Sequence, residues 1–206
     1  MTIVKFAVTL FDINSVVMVT CFLFCCTFYK KIPKEEKLLF FFLLMWTFFD
    51  VLSIFTKVNN YWTLPANGSC ELIILGTYFY RRGRAKWIPY LVGIVVLLAI
   101  TEISILLIYY NVYIACFTKA LCVCSIIAII FHQLYHKELN KQKLLLYYAM
   151  ILYFSVAFLL FFISFYIVDV GSKLIYIFYI IHVICVAILE LTITIYLWKS
   201  TRTPIG

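Results

Sequence analysis

The chain has 206 residues, of which 66% are hydrophobic and 13% charged, with a mean hydropathy of +1.08 and a formal net charge of +8. This balance excludes an ordinary soluble domain and points to a polytopic membrane protein. The positive charge falls in a few short runs, so it is a topology signal and nucleic acid is not an expected partner.

A helix needs roughly 20 apolar residues to cross a bilayer core of about 30 Å. The sequence predicts seven such spans, at about 6–28, 38–55, 61–80, 87–110, 112–135, 144–168 and 174–198. The expected fold is all-α, a single polytopic seven-helix transmembrane bundle occupying 1–206, with no separate soluble domain. Basic residues follow the odd-numbered spans: Lys30, Lys31, Lys34 and Lys37; Arg81, Arg82, Arg84 and Lys86; Lys137, Lys141 and Lys143; Lys199 and Arg202. The opposite loops hold only Lys5, Lys57 and Lys173. The Lys/Arg excess of short cytoplasmic loops then sets the N-terminus outside and the C-terminus in the cytoplasm. The first span lacks a basic leader and a small-residue cleavage site and carries Asp12, so it reads as a retained helix.

Span one carries Asp12 and Ser15 on one helical face. After Pro33, Glu35 and Glu36 suit the N-terminus of span two by placing negative charge there. Span two aligns Trp46, Asp50, Ser53 and Lys57 as one stripe expected to face the bundle. Span three opens on the least apolar stretch of the chain, Trp62-Thr63-Leu64-Pro65-Ala66-Asn67-Gly68-Ser69-Cys70-Glu71. Pro65 and Gly68 are expected to break or kink the helix and free backbone groups to line a cavity. The sequon at Asn67 lies too deep to be glycosylated. Span four carries Glu102, and only Asn111 separates it from span five, which holds Lys119 and then His132 and His136. Span seven carries His182 and, deeper, Glu190 and Thr194.

At about 1.5 Å per residue, Asp12, Asp50, Glu71, Glu102, Lys119 and His182 converge from six spans on one level. Each isolated charge at the bilayer centre costs at least ~2.5–3.5 kcal/mol, so these groups are expected to face one another. Lys119 should pair with Glu71 or Glu102. The candidate ligand-binding or ion-path residues are therefore Asp12, Asp50, Asn67, Glu71, Glu102, Lys119, His182 and Glu190. Glu190 reads either as a second relay step or as an acid bonded to Thr194. His132 and His136 have the i, i+4 spacing of metal ligands, but no third ligand accompanies them and they read as headgroup-level residues. The eight Cys lie within spans without metal-ligand spacing and read as small buried apolar residues.

The stretches Asn59-Asn60-Tyr61-Trp62 running into Glu71-Leu72-Ile73, Leu152-Tyr153-Phe154-Ser155, and Ile181-His182-Val183 through Leu197-Trp198-Lys199 resemble an uncharacterised set of short seven-helix inner-membrane proteins of Gram-negative bacteria. The resemblance implies a seven-helix fold in a bacterial inner membrane, and no activity. Asn67-Gly68-Ser69 departs from the bulkier residues usual in that set. The chain does not resemble microbial rhodopsins, which need a Lys in the last helix, nor membrane hydrolases of the ceramidase type, which need three zinc-binding His.

The leading expectation is a receptor-like membrane protein that binds a small ligand in an outward-facing polar pocket and signals through its basic cytoplasmic loops. A small proton-coupled transporter and an accessory subunit of a larger membrane complex are the alternatives. No nucleophile–base pair or metal set can be assembled, so an enzyme is not expected, and no cofactor is implied. The expected partners are the lipid bilayer, a small-molecule or lipid ligand, and a membrane or cytoplasmic protein.

Overall fold

The structure, a computed structural model, describes residues 3–55, 63–106, 112–166 and 173–202. Seven α-helices follow in chain order: α1 (Ile3–Phe28), α2 (Lys37–Phe55), α3 (Thr63–Gly83), α4 (Trp87–Leu106), α5 (Val112–His136), α6 (Lys141–Tyr166) and α7 (Lys173–Ser200). One 3-10 turn, Tyr29–Lys31, joins α1 to the loop before α2. Lys57, the expected turn at 57–60, the Asn59–Trp62 motif and the Asn111 hairpin lie outside the described residues, as does the side chain of Ser53.

Local chemistry sets the helix ends on the basic side. Ile32, held extended by the following Pro33 (φ −66°, ψ 128°), stops the first helical segment. α3 closes with Arg84 in the left-handed region (φ 53°), where its N–H reaches the Tyr80 carbonyl at 2.7 Å. Two further end carbonyls of α3 are taken by α5 and the residue after it: Gln133 donates to Phe79 at 3.3 Å and Lys137 to Arg82. Asn140 caps α6, its Oδ1 accepting the Lys143 N–H at 2.9 Å.

Six helices close a ring in the order α1, α2, α3, α5, α6, α7 and back to α1, while α4 packs outside it against α3 and α5. The apolar core lies toward the basic ends, with Leu39, Phe42, Leu75, Phe79, Ile130 and Ile193 all buried.

The outer surface is apolar. Val16, Tyr90, Leu97 and Leu145 are each more than 60% exposed, whereas Glu71, Lys119 and Glu190 are 0–2% exposed. Water would penalise both halves of this arrangement, and hydrocarbon suits the first of them. Five helical segments, Lys5–Lys31, Trp87–Ile105, Cys116–His136, Lys141–Phe162 and Tyr176–Ser200, are long and apolar enough to cross a membrane. They suggest a multi-pass membrane protein. α3 is less apolar because it carries Asn67, Glu71 and the Arg81–Arg82 pair, and α2 has 19 described residues.

Candidate functional site

The non-basic half of the ring encloses a cavity of about 260 Å³. Helical periodicity supplies its wall: Phe11, Asn14 and Met18 from α1; Trp46, Phe49 and Asp50 from α2; Asn67 from α3; Tyr179, His182, Val183 and Val186 from α7. α5 contributes Lys119, and α6 contributes Tyr153 and Phe161. Three of these lining residues each carry a buried polar atom, Asn14 Oδ1, Asn67 Oδ1 and His182 Nδ1, without a hydrogen-bond partner among the described residues. Buried polar atoms are almost always paired, so three bare ones around one cavity mark it as a place for a polar guest.

From Thr63 on, α3 runs unbroken through the opening stretch, which corrects the expected break. Pro65 sits in the first turn of the described helix, where its missing N–H costs little. Its carbonyl accepts the Ser69 hydroxyl at 2.7 Å. Gly68 serves close packing: a Cβ there would come within 2.9 Å of Lys119 Cδ and 3.2 Å of Cys122 Cβ. The absence of a side chain lets α5 approach α3 and brings Lys119 alongside Glu71.

Glu71 is fully buried and accepts three donors: Lys119 Nζ at 2.6 Å, Trp46 Nε1 at 2.9 Å and the Tyr153 hydroxyl at 3.4 Å. It does not line the cavity, as expected from sequence, but stands behind it. All three donors are lining residues, so the carboxylate fixes one wall side chain each from α2, α5 and α6. Between the two partners expected for Lys119, the geometry selects Glu71. Lys119 also lies 5.9 Å from the centre of the Phe161 ring.

Of the other expected site residues, Asp50, Asn67 and His182 meet at the cavity. Asp12 is exposed and outside the lining, because Asn14, two positions on and on the opposite side of the helix, faces inward instead. Glu102 is buried on α4 beside Cys116, outside the helix ring and not among the cavity-lining residues, with neither carboxylate oxygen partnered among the described residues. Glu190 is fully buried one turn beyond Val186, also with both oxygens unpartnered among the described residues. It is not bonded to Thr194, whose hydroxyl accepts instead from the Cys25 thiol at 3.9 Å.

A second buried polar cluster lies among the basic ends. Glu36, expected to serve the α2 N-terminus, is 3% exposed and turned inward. It accepts the Tyr196 hydroxyl at 2.9 Å and the Tyr78 hydroxyl at 3.2 Å and pairs with Arg82, thereby joining the α2 entry to α3 and α7. Glu36 is followed directly by Lys37 and a long apolar run, and that abrupt step from charge to hydrocarbon was the available signal.

His132 stacks on Trp87 at 5.2 Å and meets His136 edge-on at 4.4 Å. No cluster of three candidate metal ligands occurs among the described residues. All eight cysteines are free; Cys26 and Cys124 are exposed on the apolar surface, which corrects their reading as buried.

Comparison with models of protein families, with curated proteins and with solved structures finds no match. The bacterial resemblance therefore brings no activity to this chain, and the functional reading rests on the cavity.

Proposed function

We propose that the protein is a seven-span membrane receptor-like protein that binds a small ligand in the cavity bounded by Asp50, Asn67, Lys119 and His182, with Glu71 bracing its wall. The observation that carries this reading is the set of three bare polar atoms contributed by three helices to one aromatic-walled space. A merely structural polar network would pair its members with each other, as Glu71 does. Ligand sites are concave, largely apolar spaces with a few convergent polar groups, and this volume suits a small molecule.

The test is native mass spectrometry of the gently extracted protein. The wild type is expected to retain a small-molecule mass that the Val186→Trp variant, which fills the cavity, does not. Equal retention by both would exclude the cavity as the binding place.

The reading sets the N-terminus outside and the basic loops in the cytoplasm, where a protein partner would read the liganded state. A reporter active only in the cytoplasm is expected to be active when fused after Gly206. A silent fusion would reverse the topology and with it the outward-facing cavity.

A second reading, a proton-coupled carrier, is favoured by Glu190 alone. Its unpartnered carboxyl group lies one turn beyond the cavity and within electrostatic reach of Asp50, as a proton relay requires. Under that reading, liposomes holding the wild type dissipate a pH gradient and liposomes holding Glu190→Gln do not. A tight wild-type liposome removes the carrier.

A further inference from the structure

The chemistry of the cavity wall specifies a class of guest. We propose that the cavity binds a small organic primary ammonium, whose N–H groups are received by Asn14, Asn67 and His182 and whose body lies against the aromatic wall. The assignment rests on reading the cavity as a ligand site and names what that site takes.

The bare atoms are acceptors or can act as such. Asn14 and Asn67 each present a carbonyl oxygen, and His182 presents Nδ1, which accepts when the ring proton sits on Nε2. Asn14 is 6% exposed, so its oxygen is removed from water. A carboxylate or phosphate guest would bring acceptors to acceptors and leave all three bare. A primary ammonium brings three donors, matching three acceptors that arrive from α1, α3 and α7.

The charges around the cavity agree with this choice. Lys119 is the lining cation, and its ammonium is engaged by Glu71 at 2.6 Å, so it offers little to an anionic guest. Asp50 lies on the wall itself, beside Ser15. Asp12 and Asp50 both lie within electrostatic reach of the Tyr179 hydroxyl, and Glu190 lies within reach of Asp50. Asp50 is the carboxyl group among the described lining residues, and it is the wall group able to face a positive guest.

The aromatic wall supplies the remainder. Among the lining residues, Phe11 and Tyr179 stack at 6.4 Å, and Trp46 and Tyr153 meet edge-on at 4.9 Å. Ring faces within about 6 Å attract an organic cation, more strongly when water is excluded. Inorganic cations gain little from such a wall, which is why the assignment is to an organic one.

The test uses the full chain in lipid nanodiscs and three probes of one shape: 2-phenylethylammonium, 2-phenylethanol and 3-phenylpropanoate. Isothermal titration calorimetry, with uptake by empty nanodiscs subtracted, is expected to give saturable binding of the ammonium. The alcohol should bind at least about tenfold more weakly, since hydrogen bonds from a charged donor exceed those from a neutral one, and the carboxylate should bind weakest. Asn14→Leu should weaken the ammonium about tenfold and leave the alcohol nearly unchanged. Should Asn14→Leu fail to fold, His182→Phe takes its place with the same expectation. Glu102→Gln, outside the cavity, should change neither. Equal or tighter binding of the alcohol or the carboxylate overturns the ammonium assignment and leaves the cavity a ligand site. Ammonium affinity unchanged in the folded acceptor variants also overturns the assignment. No saturable binding of any probe overturns both the assignment and the proposed function.

Discussion

Glu71→Ala is expected to destabilise the protein by about 3–5 kcal/mol, read as a large drop in the thermal or detergent-induced unfolding midpoint. The cost comes less from the lost attraction than from what stays behind. Lys119 is 2% exposed and would hold an uncompensated charge, and the Trp46 and Tyr153 donors would lose their acceptor. Glu71→Gln should keep an acceptor for the indole and still strand the ammonium, so it should fall between Ala and wild type. Glu71→Gln combined with Lys119→Met should recover most of the loss, because removing both charges of a buried pair is far cheaper than removing one. A double variant no more stable than Glu71→Gln alone would contradict the pairing as the source of the effect. The same double variant separates stability from function: it should fold and yet lose any ligand whose seat depends on the positions of Trp46 and Tyr153.

Glu36→Ala is the second large effect, expected at about 3 kcal/mol. Glu36 lies one residue before α2 and gathers the Tyr78 and Tyr196 hydroxyls and the Arg82 guanidinium. Arg82 also lies 4.8 Å from the Tyr78 ring centre, so losing the carboxylate loosens a packed assembly along with an ion pair. Glu36→Gln, which keeps an acceptor for both phenols, should cost less than Ala, and Tyr196→Phe about 1 kcal/mol. If Glu36→Ala and Glu35→Ala proved equal in unfolding measurements, Glu36 would be acting only as a charge near the helix start, since Glu35 is exposed.

Hydropathy made the helices legible: seven apolar runs correspond to seven helices, and the predicted ends that fall on described residues are displaced by no more than three. It also made legible that Trp46 and Asp50 share an inward face and that Lys119 needs a carboxylate. It could not supply the order of helices around the bundle. α4 stands outside the ring, so Glu102, read at the same depth as the cavity groups, faces α5 rather than the cavity. Depth alone also could not choose between Asp12 and Asn14, which lie on opposite sides of one helix; their assignment depends on how α1 is rotated against α2 and α7. Glu71 was recognised as central, but its position behind the wall follows from Gly68, whose missing side chain lets Lys119 reach it. Glu36 was read from its neighbours in sequence, whereas its three partners lie on α3 and α7, 42 to 160 residues away.

The most direct test of the account is an experimental density map of the protein in lipid nanodiscs, purified without added ligand. The account predicts density not belonging to the chain between Asp50, Asn67 and His182, with Glu71 still joined to Lys119 behind it. A cavity closed by repacking, with Asn14, Asn67 and His182 hydrogen-bonded to one another, would contradict it and leave the polar interior a structural network.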